Sequence, residues 1–185
     1  MAAFILRVPD MERRLILIRH AKSDYPWGVD DHYRPLNGRG RRDAPVIGDW
    51  LMDHVSVDRV PLVVVSTATR TQLTWRLIRE RLSDDWAHVD VVDEPRIYEA
   101  EASVLGEIVM ALPDERSTVL VIGHNPGLRD FLAQHVQPGD LQEQATAKFP
   151  TSAIAVLTTS SRWSEALVSP MAIEQFAIAR GIKLT

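Results

Sequence analysis

The strongest constraint in this chain is a set of short runs that contain no polar residue. Leu15-Ile16-Leu17-Ile18, Leu62-Val63-Val64-Val65 and Val119-Leu120-Val121-Ile122 are each wholly apolar. A strand with one wet face alternates apolar and polar residues, whereas a strand covered on both faces does not. Such strands need a packed layer on each side, and the stretches between them supply it. Helices are expected from about Arg39 to His54 and from Arg70 to Leu82, with Leu73, Leu77, Ile78 and Leu82 on one stripe. Two more are expected from Ser103 to Leu112, with Ser103 as the cap, and from Gly127 to Val136. Val89 to Val92 reads as a weaker strand and Ala153 to Leu157 as a fifth, with a short helix closing the chain near Ala172 to Arg180. Strands alternating with helices predict right-handed βαβ units. The expected fold class is therefore α/β, a three-layer sandwich with a mostly parallel central sheet and helices on both faces. The pattern does not dictate the strand order.

Composition removes whole classes of function. At 185 residues, 45% of them hydrophobic, the chain is expected to be a single domain over 1–185, with residues 1–12 as an N-terminal extension; whether Met1 or Met11 is the start stays open. It has no cysteine, which excludes disulfide scaffolds, thiolate catalysis and Cys-based zinc sites. Twenty-five acidic residues against 21 basic ones give a net charge of −4, with no global pull toward nucleic acid or anionic membrane. No apolar run approaches the roughly 20 residues of a bilayer span, and the first residues lack the pattern of a signal peptide, so a cytoplasmic enzyme or binding domain is expected. The six histidines fall neither at i, i+4 nor in His-x-His pairs, so no catalytic metal is expected. Gly38-Arg39-Gly40 follows no strand, and no Gly-Lys-Ser/Thr loop is present, so no nucleotide cofactor is expected either. The five tryptophans are spread out and read as core or rim packing.

In an open α/β sheet, ligands bind at the carboxyl ends of the strands. Arg19-His20-Ala21-Lys22-Ser23 follows the first strand and Ser66-Thr67-Ala68-Thr69-Arg70 the second. Tyr98-Glu99-Ala100-Glu101 lies beyond the third, and Gly123-His124-Asn125-Pro126-Gly127 follows the fourth. Each residue alone has an ordinary explanation. A histidine at a strand end is usually a structural hydrogen-bonding group, an arginine at a helix start is usually solvated, and a loop glutamate is usually surface. Their joint arrival at one rim is not required by fold stability. Two guanidiniums and an imidazole make a donor pocket for a phosphoryl dianion, and a second, neutral imidazole can attack phosphorus in line. The loop carrying Asp30, Asp31 and His32 reads as solvated. Arg34, Arg39, Arg41 and Arg42 read as a solvated loop and helix start, against the alternative of a rim that attracts phosphorylated or acidic partners.

These stretches resemble the histidine phosphatase superfamily, the phosphoglycerate-mutase-like fold, and within it the small SixA-type phosphohistidine phosphatases. The resemblance runs through Leu15 to Ser23, Arg34-Pro35-Leu36, Val63 to Thr74, Ile97 to Ala100, Val119 to Leu128 and Pro150 to Leu157. It implies that His20 is the phosphorylated nucleophile and that Arg19, Arg70 and His124 complete the phosphate pocket. It implies Glu99 as proton donor, with Glu101 competing and Asp24 a distant third. Ser23, Arg34 and Asn125 are implied as substrate-binding residues. Two positions depart from the commonest family pattern: Ala21 stands where glycine is usual, and Thr67 where proline is usual. The connections are too short for the large helical lid of bigger members, so an open cleft is expected. The expected activity is that of a metal-independent, cofactor-free phosphatase working through a covalent phosphohistidine. Its expected substrate is phosphohistidine on a protein, with a small phosphorylated metabolite as the rival. A phosphate-binding interaction module without turnover is the rival from another class, and a mutase is less favoured. The oligomeric state cannot be read from the chain.

Overall fold

The computed structural model describes residues 11–55, 61–86 and 89–181, so the N-terminal extension expected over 1–12 lies almost wholly outside the described residues. The apolar runs form the strands they predict. The strands are β1 (Arg13–Arg19), β2 (Leu62–Val65), β3 (Asp90–Asp93), β4 (Thr118–Gly123), β5 (Ala153–Thr159) and β6 (Ala172–Ile178). Among the described residues they make one sheet in the order β3-β2-β4-β1-β5-β6. β1 pairs parallel with β4, β4 with β2 and β2 with β3, while β5 runs antiparallel to both β1 and β6.

Successive residues of a strand point to opposite faces, and the core divides accordingly. Leu15, Leu17, Leu62, Val64, Val119 and Val121 face one layer; Ile16, Ile18, Val63, Val65, Leu120 and Ile122 face the other. Helices α1 (Gly38–His54) and α2 (Thr69–Arg79) cover the second face through Ile47, Leu51, Trp75 and Ile78. Helices α3 (Ala102–Met110), α4 (Gly127–His135) and α5 (Asp140–Ala147) cover the first through Leu105, Ile108, Leu128, Phe131 and Ala145. The three-layer α/β sandwich is thus as the alternation of elements implies.

Two local expectations are corrected, and one helix was not foreseen. Residues 172–178 form an edge strand and not a helix. Ala172, Ile173, Phe176 and Ala177 satisfy a helical spacing on paper, but the open edge of β5 supplies a hydrogen-bonding partner along the whole segment, and pairing wins. Helix α5 was not legible because only Ala145 among its residues is buried, leaving almost no apolar period. The cap of α3 is Glu101 and not Ser103.

Two close approaches tie the loops to this frame. A Cβ on Gly40 would stand 2.1 Å from the Lys22 carbonyl oxygen, and one on Gly127 would stand 2.2 Å from that of Ala100. Only glycine lets α1 and α4 start this close to the segments after β1 and β3. Asn37 caps α1 by accepting from the Gly40 amide at 2.9 Å.

Leu120 is fully buried in the central strand β4. Leu120→Ala is expected to destabilise the protein by about 3 kcal/mol, read from the urea unfolding midpoint, because strands on both sides limit collapse of the cavity.

Candidate functional site

The register of β1 on β4 pairs Arg19 with Gly123, and the His20 amide donates to the Gly123 carbonyl at 3.1 Å. His20 and His124 therefore leave the sheet side by side, their ring centroids 5.1 Å apart. β2 lies on the other side of β4 and delivers Ser66, after which the first turn of α2 carries Arg70. Thr74 holds these pieces together. Its buried Oγ1 accepts from the Ala21 amide at 3.0 Å and donates to the Arg70 carbonyl at 2.7 Å.

The result is a cleft of about 360 Å³ at the carboxyl ends of the strands. Its lining includes every residue expected at the site: Arg19, His20, Ser23, Arg34, Arg70, Glu99, His124 and Asn125. Glu101 and Asp24, the competing acids, are not among the lining residues. Both histidine rings sit at the floor, each only 7% exposed. His20 Nδ1 lies 2.7 Å from the Ala21 carbonyl oxygen. A carbonyl only accepts, so Nδ1 carries the proton and Nε2 holds the free lone pair. Burial pushes the His20 pKa down to about 3, and the Arg70, Arg19 and Arg34 charges reinforce this. Burial likewise lowers His124 to about 2, with His20 and Arg70 adding to the effect. Both rings are neutral at pH 7.

His124 is set by Ser66. The Ser66 Oγ accepts from the Ala68 amide at 3.4 Å and lies 2.9 Å from His124 Nε2. A hydroxyl that accepts on one side can donate on the other, and with Ser66 as the donor the His124 proton sits on Nδ1. That Nδ1 is buried and has no partner, and the same holds for Arg19 Nε and Asn125 Oδ1. All three belong to residues that line the cleft. Arg19 Nη1 and Asn125 Nδ2 share the Phe149 carbonyl, at 2.9 and 2.8 Å. Burial lowers the Arg19 pKa, and no carboxylate pairs with it among the described residues.

Asp31 is the residue the sequence hid. Its loop is not simply solvated. Arg34 Nη1 donates to Asp31 Oδ1 at 2.5 Å, and Arg70 Nη2 to Oδ2 at 3.0 Å. The Tyr98 hydroxyl also donates to Oδ2, at 2.9 Å. Burial alone would raise the Asp31 pKa; the hydrogen bonds from Arg34 and Tyr98 and the Arg70 charge overcome it and hold the carboxyl at about 2. Arg34 is not a solvated loop residue either. Only 8% exposed, it also donates to Ser23 Oγ at 2.7 Å and to the Asp24 carbonyl at 2.8 Å, with the Tyr25 ring over its guanidinium. Arg39, by contrast, is half-exposed and reaches Thr151 Oγ1 at the cleft edge. Ser66, Thr74, Asp31 and Tyr98 were missed by the sequence reading. The Asp31-x-x-Arg34 spacing was the one available signal for the acidic member.

Four lining cations, Arg19, Lys22, Arg34 and Arg70, face two lining carboxylates, Asp31 and Glu99. The two net positive charges match a phosphoryl dianion. Among the described residues no group of His, Asp and Glu side chains has the spacing to hold a metal ion. Their helices include none long and apolar enough to cross a membrane.

The sequence model of the histidine phosphatase superfamily, branch 1, matches residues 15–117. The chain belongs to this superfamily. An uncharacterised protein of Mycobacterium tuberculosis (strain H37Rv) is 35% identical over 173 residues, covering 88% of this chain and all of that one. A solved structure from Nakamurella multipartitia, provisionally named phosphohistidine phosphatase SixA, is 28% identical with a TM-score of 0.79, covering 91% of this chain and 96% of that one. A phosphoglycerate mutase from Plasmodium falciparum shares the fold at 18% identity and a TM-score of 0.61, covering 95% and 96%. This histidine phosphatase is thus an enzyme of SixA type on the phosphoglycerate-mutase-like fold.

The two histidines have folded pKa values far below the ordinary 6.5. Below pH 6.5 the unfolded chain therefore binds more protons than the folded one. The thermal midpoint is expected to fall as pH drops from about 6.5 toward 3, and to fall less steeply in His20→Asn, which has no ring to protonate.

Proposed function

We propose that this histidine phosphatase is a metal-independent phosphohistidine phosphatase that works through a covalent phosphoryl group on His20. The observation that carries the reading is the state of His20: a buried, neutral imidazole with Nδ1 committed to the Ala21 carbonyl and Nε2 free, facing a cationic cleft. Nε2 attacks phosphorus in line. As the ring gains positive charge, the Ala21 carbonyl stabilises its Nδ1–H. Arg19, Arg70 and the His124 Nδ1–H hold the equatorial oxygens, and Asn125 borders the same space. Each terminal nitrogen of Arg70 donates once to Asp31 and keeps a second hydrogen for substrate. Arg34 and Ser23 brace the wall. Glu99 stands at the mouth, exposed, and is the proton donor for oxygen leaving groups. Water then attacks the phosphohistidine and releases phosphate.

A protein substrate is favoured over a small metabolite by the surface beside the mouth. Tyr25, which lines the cleft, is 71% exposed, and the same loop presents Trp27 at 100% and Tyr33 at 65%. A metabolite held in the cleft cannot cover Trp27; a protein can, and exposed aromatics are the usual anchors of such contacts.

Two measurements test this. Radiolabelled substrate is expected to leave acid-labile label on the wild-type enzyme, and none on His20→Ala, which loses turnover while staying folded. Turnover by His20→Ala would reject the nucleophile, and binding without any turnover by the wild type would leave only a phosphate-binding module. Preference for sugar or nucleotide monophosphates over phosphohistidine would reverse the substrate assignment. Separately, Trp27→Ala is expected to raise KM for a phosphohistidine-bearing protein roughly tenfold, as for loss of a modest aromatic anchor, with free phosphohistidine turned over as before.

A further inference from the structure

The cleft has a floor and a mouth, and the two differ in chemistry. The nucleophile lies at the buried floor, so the group that departs in line from it faces the mouth. There the Asp31 side chain is 47% exposed and Tyr25 is open to solvent on the side away from Arg34. Asp31 accepts only from donors, two of them permanent cations. A carboxylate so held stays anionic through the neutral range, and its low pKa agrees. It cannot protonate a leaving alkoxide, and its charge opposes one. The fold nevertheless spends two buried guanidiniums on keeping it there. A carboxylate also has about four acceptor sites; three are used, one on Oδ1 and two on Oδ2. The surroundings suit a flat cation. The Tyr25 ring already stacks on one, the Arg34 guanidinium, at 3.3 Å, and the Tyr98 ring lies beside Asp31 and 5.6 Å from the Arg70 guanidinium.

We propose that Asp31, with the rings of Tyr25 and Tyr98, forms a leaving-group subsite for a protonated imidazole, which selects N-linked over O-linked phosphoryl groups. The inference rests on the reading of the enzyme as a phosphatase acting through His20. An imidazole bonded to phosphorus through one nitrogen can carry a proton on the other. Asp31 accepts that N–H and keeps the ring protonated. The His20 Nε2–P bond forms as the P–N bond breaks. The electron pair of the P–N bond returns to the leaving nitrogen, and because the other nitrogen keeps its proton, neutral imidazole departs. No acid has to supply a proton in this step. An oxygen leaving group gains nothing from Asp31.

The test compares kcat/KM for free phosphohistidine and for para-nitrophenyl phosphate, whose phenolate departs without a proton, between pH 5 and 9. Asp31→Asn is expected to lower the phosphohistidine value roughly 10- to 100-fold more than the ester value, as for loss of a charge-assisted hydrogen bond. It is also expected to move the alkaline limb for phosphohistidine to lower pH, since the ring proton is lost more easily. Asp31→Glu restores part of the preference. Protection of the variant's thermal midpoint by inorganic phosphate shows that the pocket is intact. Equal losses on both substrates, with no shift of the alkaline limb, overturn the subsite and leave the reaction through His20 standing. A wild type that hydrolyses the ester but not phosphohistidine overturns the substrate reading itself, and the subsite with it.

Discussion

The site depends on one pairing, that of β1 with β4. Both strands are wholly buried along their centres, so each must keep its register or turn its apolar side chains the wrong way. That register ends with Arg19 beside Gly123. Parallel direction makes the two carboxyl ends flush, and the next residue of each strand is a histidine. The 5.1 Å spacing of the rings is therefore fixed by the hydrophobic core and not by any contact between the rings themselves. A mutation in the sheet that shifted either strand by one residue would separate them.

Burial also sets the electrostatics. Arg34 and Arg70 are 8% and 6% exposed, and an uncompensated guanidinium at such depth would cost several kcal/mol. Asp31 offsets this by pairing with both at once. Arg19 has no such carboxylate partner among the described residues, and its Nη1 donates to the Phe149 carbonyl. Asp31 and Arg34 make a stable wall, Arg70 belongs both to that wall and to the phosphate pocket, and in the proposed reaction Arg19, Arg70 and the two neutral imidazoles make the part that a phosphoryl group completes.

Much of this was legible in the sequence, and what was not has a physical reason. The central strands announce themselves because burial on both faces leaves no room for polar residues. The residues at the strand ends stand out because nothing in packing requires Arg19-His20 or His124-Asn125 there. Asp31 and Tyr98 were illegible because their roles come from contacts 39 and 67 residues away in the chain, and a loop aspartate in sequence looks like any other. Ser66 and Thr74 act through one hydrogen bond each to a neighbour brought in by the fold. Residues 172–178 failed for the opposite reason: the local pattern fitted a helix, but the edge of β5 decided the outcome.

The neutrality of His20 links stability to chemistry. A histidine in water is half protonated near pH 6.5, and a protonated ring has no lone pair for phosphorus. Burial beside three arginines removes that competition by making the charged ring unfavourable. In the proposed reaction the same burial makes the phosphorylated ring, which carries added charge, dependent on the Ala21 carbonyl and on the anionic oxygens it has just received. The proposed intermediate is then stabilised by its own phosphoryl group, and loses that support when water removes it. A site that disfavours the free imidazolium and, in the proposed reaction, tolerates only the phosphorylated one is poised to return to neutral His20 after each turnover.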